Sequence, residues 1–281
     1  MHRVRARTID DVITFMDAIV NQSITLGDRL GYFTGLYRLV TIEVKKRCDE
    51  GFFEDNDRMR ELDVLFANRF FDALAAYKRR EAHLLTDAWR MAFEAAKDPD
   101  LMIMQHLLLG MNAHINLDLG IATAEVSGGV LTPGLRRDFD KLNALLTELS
   151  DQVQVNIISV SPLFRRFEPL YRYFDEMFVR VGISTARTRA WKFAETLIAT
   201  PDEDWPAVIA ARDASVGELG ARIQNPGLQL IPLVKLVSQS EKKDIHGVVS
   251  ILCGESWNRP LRFTRDQLRE EARRRGISWD D

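Results

Sequence analysis

One stretch in the middle of the chain, Leu101 to Thr123, limits what the rest can fold into. It reads Leu-Met-Ile-Met-Gln-His-Leu-Leu-Leu-Gly-Met-Asn-Ala-His-Ile-Asn-Leu-Asp-Leu-Gly-Ile-Ala-Thr. At about 100° per residue, Gln105, Asn112 and Asn116 share one helical face, His114 and Asp118 share the opposite face one turn apart, and His106 lies between them. The other residues are apolar or small all round, so this helix is expected to be buried on most sides. Burying an unsatisfied polar group costs on the order of 1–3 kcal/mol, and a charge costs more. The six polar side chains therefore need partners, whether protein groups, water, a metal or a ligand.

The rest of the chain reads as helices. Thr8 and Asp11 form a capping-box pattern before Val12, Phe15, Met16 and Ile19. Helices are expected at about 28–48, from Asp57 to about Leu85, and from Thr86 to Ala96. Thr132-Pro133 starts another, with a stripe at Leu135, Phe139, Leu142, Leu146, Leu149 and Val153 that ends before Ser161-Pro162. Further helices are expected at 166–180, 184–199, 206–223, 229–239 and 241–252. Thr264 and Gln267 cap a last charged one that stops at Gly276. No alternating β pattern, repeat or linker stands out. The expectation is an all-α, single-domain multi-helix bundle around a buried central helix (about 101–123), spanning residues 1–256, with 257–281 as a peripheral helix or tail.

Three roles fit His114 and Asp118. At i, i+4 they can ligate one divalent metal, with His106 or His83 as a third ligand. Asp118 can instead orient His114 as a general base, with His106 as a second acid. Or the pair satisfies only itself and nearby backbone. Other helices also place polar groups on apolar faces. Arg69 interrupts the stripe Leu62, Leu65, Phe66, Ala73 and Ala76, Arg187 shares a face with Trp191, Ala194 and Ile198, and Asn156 follows Leu149 and Val153. The simplest arrangement gathers these groups, with Asp63 and Asn68, around one internal polar pocket. There Arg69 and Arg187 pair with Asp118 and Asp63, or grip a ligand's carboxylate or phosphate. Tyr77 and Trp89 read as core.

Composition removes several classes. The 41 acidic and 38 basic residues leave a net charge of −3, which gives no long-range field for nucleic acid or an anionic membrane. Arg269 to Arg275 reads as a solvated helix face. The two cysteines, Cys48 and Cys253, form no disulfide framework or thiolate metal motif, which suits a reducing cytoplasm. No apolar run approaches the ~20 residues of a membrane span, and the N-terminus lacks a signal-peptide core. Ser127-Gly128-Gly129 lacks the rest of a P-loop, and Gly-x-Ser-x-Gly, His-Glu-x-x-His and DDxxD motifs do not occur.

Leu107 to Ile121, LLLGMNAHINLDLGI, resembles the signature of an uncharacterised bacterial and fungal family, a domain of unknown function. Asp63 to Leu74, Arg29-Leu30-Gly31-Tyr32-Phe33, Arg187-x-x-x-Trp191 and Glu241-x-x-Asp244 are similar to the same family, and the likeness covers most of residues 25–250. The resemblance implies an all-helical protein and carries no activity. The leading functional expectation is an enzyme acting on a small molecule by hydrolysis, isomerisation or cyclisation. It uses His114, Asp118 and His106, with Arg69, Asn112, Asn116, Gln105, Asn156, Arg187, Asp63 and Asn68 around the ligand. A non-catalytic ligand-binding protein and a structural protein with a buried polar network are the alternatives.

Overall fold

The computed structural model describes residues 5–182, 184–241 and 243–254. The expected helix capped by Thr264 and Gln267, and the 257–281 tail with it, lie outside the described residues. Twelve α-helices and no strand occur among those described: α1 (Ile9–Leu26), α2 (Leu30–Asp49), α3 (Asn56–Lys78), α4 (Asp87–Ala95), α5 (Ile103–Ala113), α6 (Leu119–Val126), α7 (Pro133–Val160), α8 (Glu168–Gly182), α9 (Ser184–Ile198), α10 (Trp205–Gln224), α11 (Ile231–Ser240) and α12 (Ile245–Leu252). None is long and apolar enough to cross a membrane.

Local chemistry sets most helix ends. Thr8 accepts from the Asp11 backbone N–H, and Asp11 accepts from the Thr8 backbone, so the capping box closes as expected. α1 stops at Gly27, which takes a left-handed φ of 68° that a side chain would resist. Thr132 caps α7, with Pro133 in its first turn. The helix expected to run from Asp57 to Leu85 ends earlier, at Lys78. Arg80 adopts φ 59°, which stops helical hydrogen bonding, and a short 3₁₀ turn at Ala82–Leu84 follows.

The central helix is buried as its composition requires. From Met102 to Ala124 only Met111 and Ile115 are partly exposed. α5 packs against α2, α4, α8 and α10, while α6 packs between α3 and α9. Two glycines allow the close approaches. A Cβ on Gly110 would sit 2.5 Å from the Phe33 ring, and one on Gly120 would lie 2.9 Å from the Ala190 carbonyl.

The expected single helix is interrupted. Between α5 and α6, His114–Asp118 forms a π-helical turn in which the Leu119 N–H reaches back five residues to the His114 carbonyl. Such turns are rare and gather at functional sites. This one coincides with the polar string His-Ile-Asn-Leu-Asp.

Candidate functional site

The π turn holds His114 and Asp118 in the protein interior, at 3% and 1% exposure. Asp118 is the hub. Its Oδ1 accepts from Arg69 Nε at 3.0 Å, its Oδ2 accepts from Trp89 Nε1 at 2.8 Å, and His114 Nδ1 faces Oδ2 at 3.5 Å. Arg69 also reaches Glu125 at 3.5 Å. The Arg69–Asp118 pairing anticipated from the interrupted stripe of α3 is therefore present. Trp89, read from sequence as core, is both core and hydrogen-bond donor. The signal for this role is that a buried indole N–H seeks an acceptor.

Aromatic rings enclose His114. Phe66 stacks on its imidazole with centroids 3.4 Å apart, Tyr37 lies at 4.3 Å, and Phe33 and Trp89 contact it edge-on or tilted. Burial lowers the His114 pKa, with Asp118 opposing, so a neutral imidazole is favoured. Its Nε2 has no hydrogen-bond partner. Tyr37 Oη, Thr41 Oγ1 and Asp63 Oδ2 are likewise buried without partners of good geometry. Burial raises the Tyr37 pKa, reinforced by the charges of Asp63 and Asp118, and burial pushes Asp63 up to about 7.

Asp118 and Arg69 form the floor of a cleft of about 260 Å³, with Trp89, Asn68, Asp72 and Glu125 among its walls and Arg5 at its rim. Arg5 pairs with Asp72 at 2.6 Å. The lining holds two guanidinium groups, Arg5 and Arg69, against three carboxylates, Asp72, Asp118 and Glu125, which is one negative charge in excess. Burial raises the Glu125 pKa, and Arg69 and Arg5 oppose that shift.

The remaining anticipated residues do not join this group. His106 sits eight positions before His114, about 12 Å along a helix, and packs edge-on against Tyr32. Burial, with the charge of Arg29, drives its pKa down to about 3 against a weak pull from the Leu101 backbone. His83 is exposed on the 3₁₀ turn. Among the described residues no three His, Cys, Asp or Glu side chains gather to hold a metal ion, so the set His106, His114 and Asp118 is not assembled.

Of the amides only Asn68 lines the Asp118 cleft; Asn112 and Asn116 line a second cleft, and most of the amides, like Arg187, bond to backbone carbonyls. Gln105 donates to the carbonyls of Ile223 and Gln224 at the end of α10. Asn112 donates to Val216 O and accepts from Asn116. Asn156 donates to Ile251 O in α12, Asn68 exchanges hydrogen bonds with the Ala6 backbone, and Arg187 donates to Asn143 O. Burial lowers the Arg187 pKa to about 10.

Sequence reasoning missed three buried carboxylates that satisfy helix N-termini from afar. Asp213 accepts from the Asp87 and Ala88 N–H groups that start α4. Glu241 accepts from Ile103 N–H at the start of α5 and from Ser161 Oγ. Asp138 accepts from Glu54 and Asp55 N–H and from Arg58. For Asp138 and Asp213 the available signal was an acidic residue in an otherwise apolar helical slot; Glu241 follows the end of α11 and was marked only by the family resemblance.

Compared with known proteins, residues 9–226 match the model of a family of unknown function. No curated protein and no solved structure matches the chain.

Proposed function

This chain belongs to that family, DUF5995, and we propose that it binds a small, polar, neutral or cationic molecule in the cleft floored by Asp118 and Arg69. The observation that carries this reading is a buried charge cluster open to a cleft. Asp118 is almost fully enclosed, yet it lines a space of about 260 Å³. Buried ion pairs are poor stabilisers, because desolvation offsets their attraction. An Asp-Arg-Trp-His network at a rare π turn is therefore an expensive way to fill a core and a suitable way to fix a carboxylate for a ligand. The excess negative charge of the lining favours an amine, guanidine or hydrogen-bond donor. It disfavours the carboxylate or phosphate expected of Arg69 from sequence, since Arg69 is engaged by Asp118 and Glu125. A polar lining suits such a molecule better than the apolar chain a cyclase folds.

The test uses the Trp89 indole N–H, whose NMR resonance is identified by its loss in Trp89→Phe. Small amines, guanidines and polyols are titrated singly at millimolar concentration. A saturable shift that disappears in Asp118→Asn supports the reading. No shift with any of the three classes overturns it.

A second reading, acid–base catalysis, is favoured by one observation: the neutral His114 has Nδ1 toward Asp118 and a free Nε2. Asp118 would touch the substrate, and His114 would position it and hold a proton. Turnover of a bound compound should then fall in His114→Gln while its binding persists. Cys48 and Cys253, buried and in no disulfide, fit a reducing compartment such as the cytoplasm for either reading.

A further inference from the structure

On the other side of the π turn, α8, α9 and α10, with the buried Asn112 and Asn116, line a second, open cleft of about 160 Å³ at which the exposed Arg180, Arg189 and Arg222 and the half-buried Arg212 gather. Glu218 is the only carboxylate in its lining, and Glu176 lies outside it, paired with Arg180 at 2.6 Å. Several other arginines are tied to carboxylates, as in Arg58–Asp138, Arg60–Asp49, Arg137–Glu54 and Arg69–Asp118. Among the described residues, Arg189, Arg212 and Arg222 have no such partner.

Arg212 is held in place by other means. Its Nε donates to the Asn116 carbonyl at 2.8 Å, and its guanidinium stacks 5.4 Å from the Phe193 ring centroid. The bond to Asn116 satisfies a carbonyl of the π turn and anchors the cation in the wall of the cleft. Burial, and then the nearby charge of Arg189, lowers the Arg212 pKa. Arg189 is exposed to solvent, and its guanidinium lies near enough to Arg212 for the two charges to repel. Like charges brought this close together are relieved by an anion.

We propose that this arginine cleft binds the terminal phosphate or diphosphate of a small soluble molecule. Its volume of about 160 Å³ leaves room for a compact oxyanion. The fork geometry of guanidinium suits phosphate oxygens. The cleft is separate from the one at Asp118 and carries the opposite charge balance, four guanidiniums against one carboxylate, so the proposal does not depend on the function proposed above.

Calorimetric titration of the full chain with inorganic pyrophosphate at low ionic strength tests it. One equivalent should bind saturably, and the double variant Arg189→Ser/Arg222→Ser should weaken binding at least tenfold. Glu218→Gln, which removes the opposing carboxylate, should tighten it severalfold; a general loss of fold cannot produce that gain. Adenosine diphosphate should compete. Absence of saturable binding, unchanged affinity in the double variant, or binding to phosphatidylglycerol vesicles alone would each overturn the proposal.

Discussion

Trp89 gives its indole hydrogen to Asp118 across 2.8 Å and thereby ties α4 to the π turn. Arg69 holds the other carboxylate oxygen from α3. Three elements distant in sequence thus meet at one buried charge. Removing the cation strands that charge, whereas removing both partners does not. Arg69→Met should cost about 3–5 kcal/mol in urea unfolding. The double variant Arg69→Met/Asp118→Asn should cost clearly less than the sum of the two single changes. Additive effects would show that the pair is not coupled.

The buried histidines make the fold sensitive to mild acid. His106 has a folded pKa of about 3, whereas the unfolded imidazole titrates near ~6.5. Below ~6.5 the unfolded chain accepts a proton that the folded chain refuses. Stability is therefore fully present above that pH and falls as pH drops toward 3, by up to about 1.4 kcal/mol per unit. Burial shifts His114 in the same direction. His106→Leu should flatten the dependence of the urea midpoint on pH between 6.5 and 4; an unchanged slope would refute the assignment.

Asp63 acts with the opposite sign. Its folded pKa of about 7 lies above the ordinary carboxylate value, so the fold favours its protonated form. Its stabilising contribution is present below the ordinary value and is lost as pH rises toward 7. Asp63→Asn imitates the protonated group. Urea midpoints should show a small gain in stability at pH 5 and a clearly larger gain at pH 8. Glu241, also raised to about 7 by burial, adds to the same trend in the parent protein.

Two glycines in helices should respond oppositely to the same substitution. A Cβ on Gly217 of α10 would meet nothing within 4 Å, so Gly217→Ala should stabilise by up to about 1 kcal/mol through helix propensity. A Cβ on Gly120 would press on the Ala190 carbonyl at 2.9 Å and the Phe193 ring at 2.6 Å. The backbone carbonyl cannot swing away, so Gly120→Ala should cost about 1–3 kcal/mol. Melting temperatures of the two variants check the pair, and a shift in the same direction would contradict this packing.

Much of this architecture can be read along the chain because its determinants are local. Thr8 with Asp11, and Thr132 with Pro133, mark helix starts within a few residues. The i, i+4 spacing of His114 and Asp118 survives the π turn, and the misplaced Arg69 in α3 points to the buried acid it meets. The rest depends on distance. Gln105, Asn112 and Asn156 find backbone carbonyls about a hundred residues away, and any helix can supply such an acceptor, so side-chain type alone points equally well to a pocket. Arg180, Arg189, and the pair Arg212 and Arg222 resemble solvated faces of three helices, and only the packing of α8, α9 and α10 turns them into a cluster. Arg80 gives no local hint of its positive φ, which is why α3 looks longer in sequence than in space.

The extra residue within His114–Asp118 works as a phase shift. An uninterrupted α-helix would rotate everything downstream by about 100°, turning Gly120 away from Ala190 and carrying Asp118 out of line with Arg69 and Trp89. The irregular turn sets how the first half of the chain meets the second.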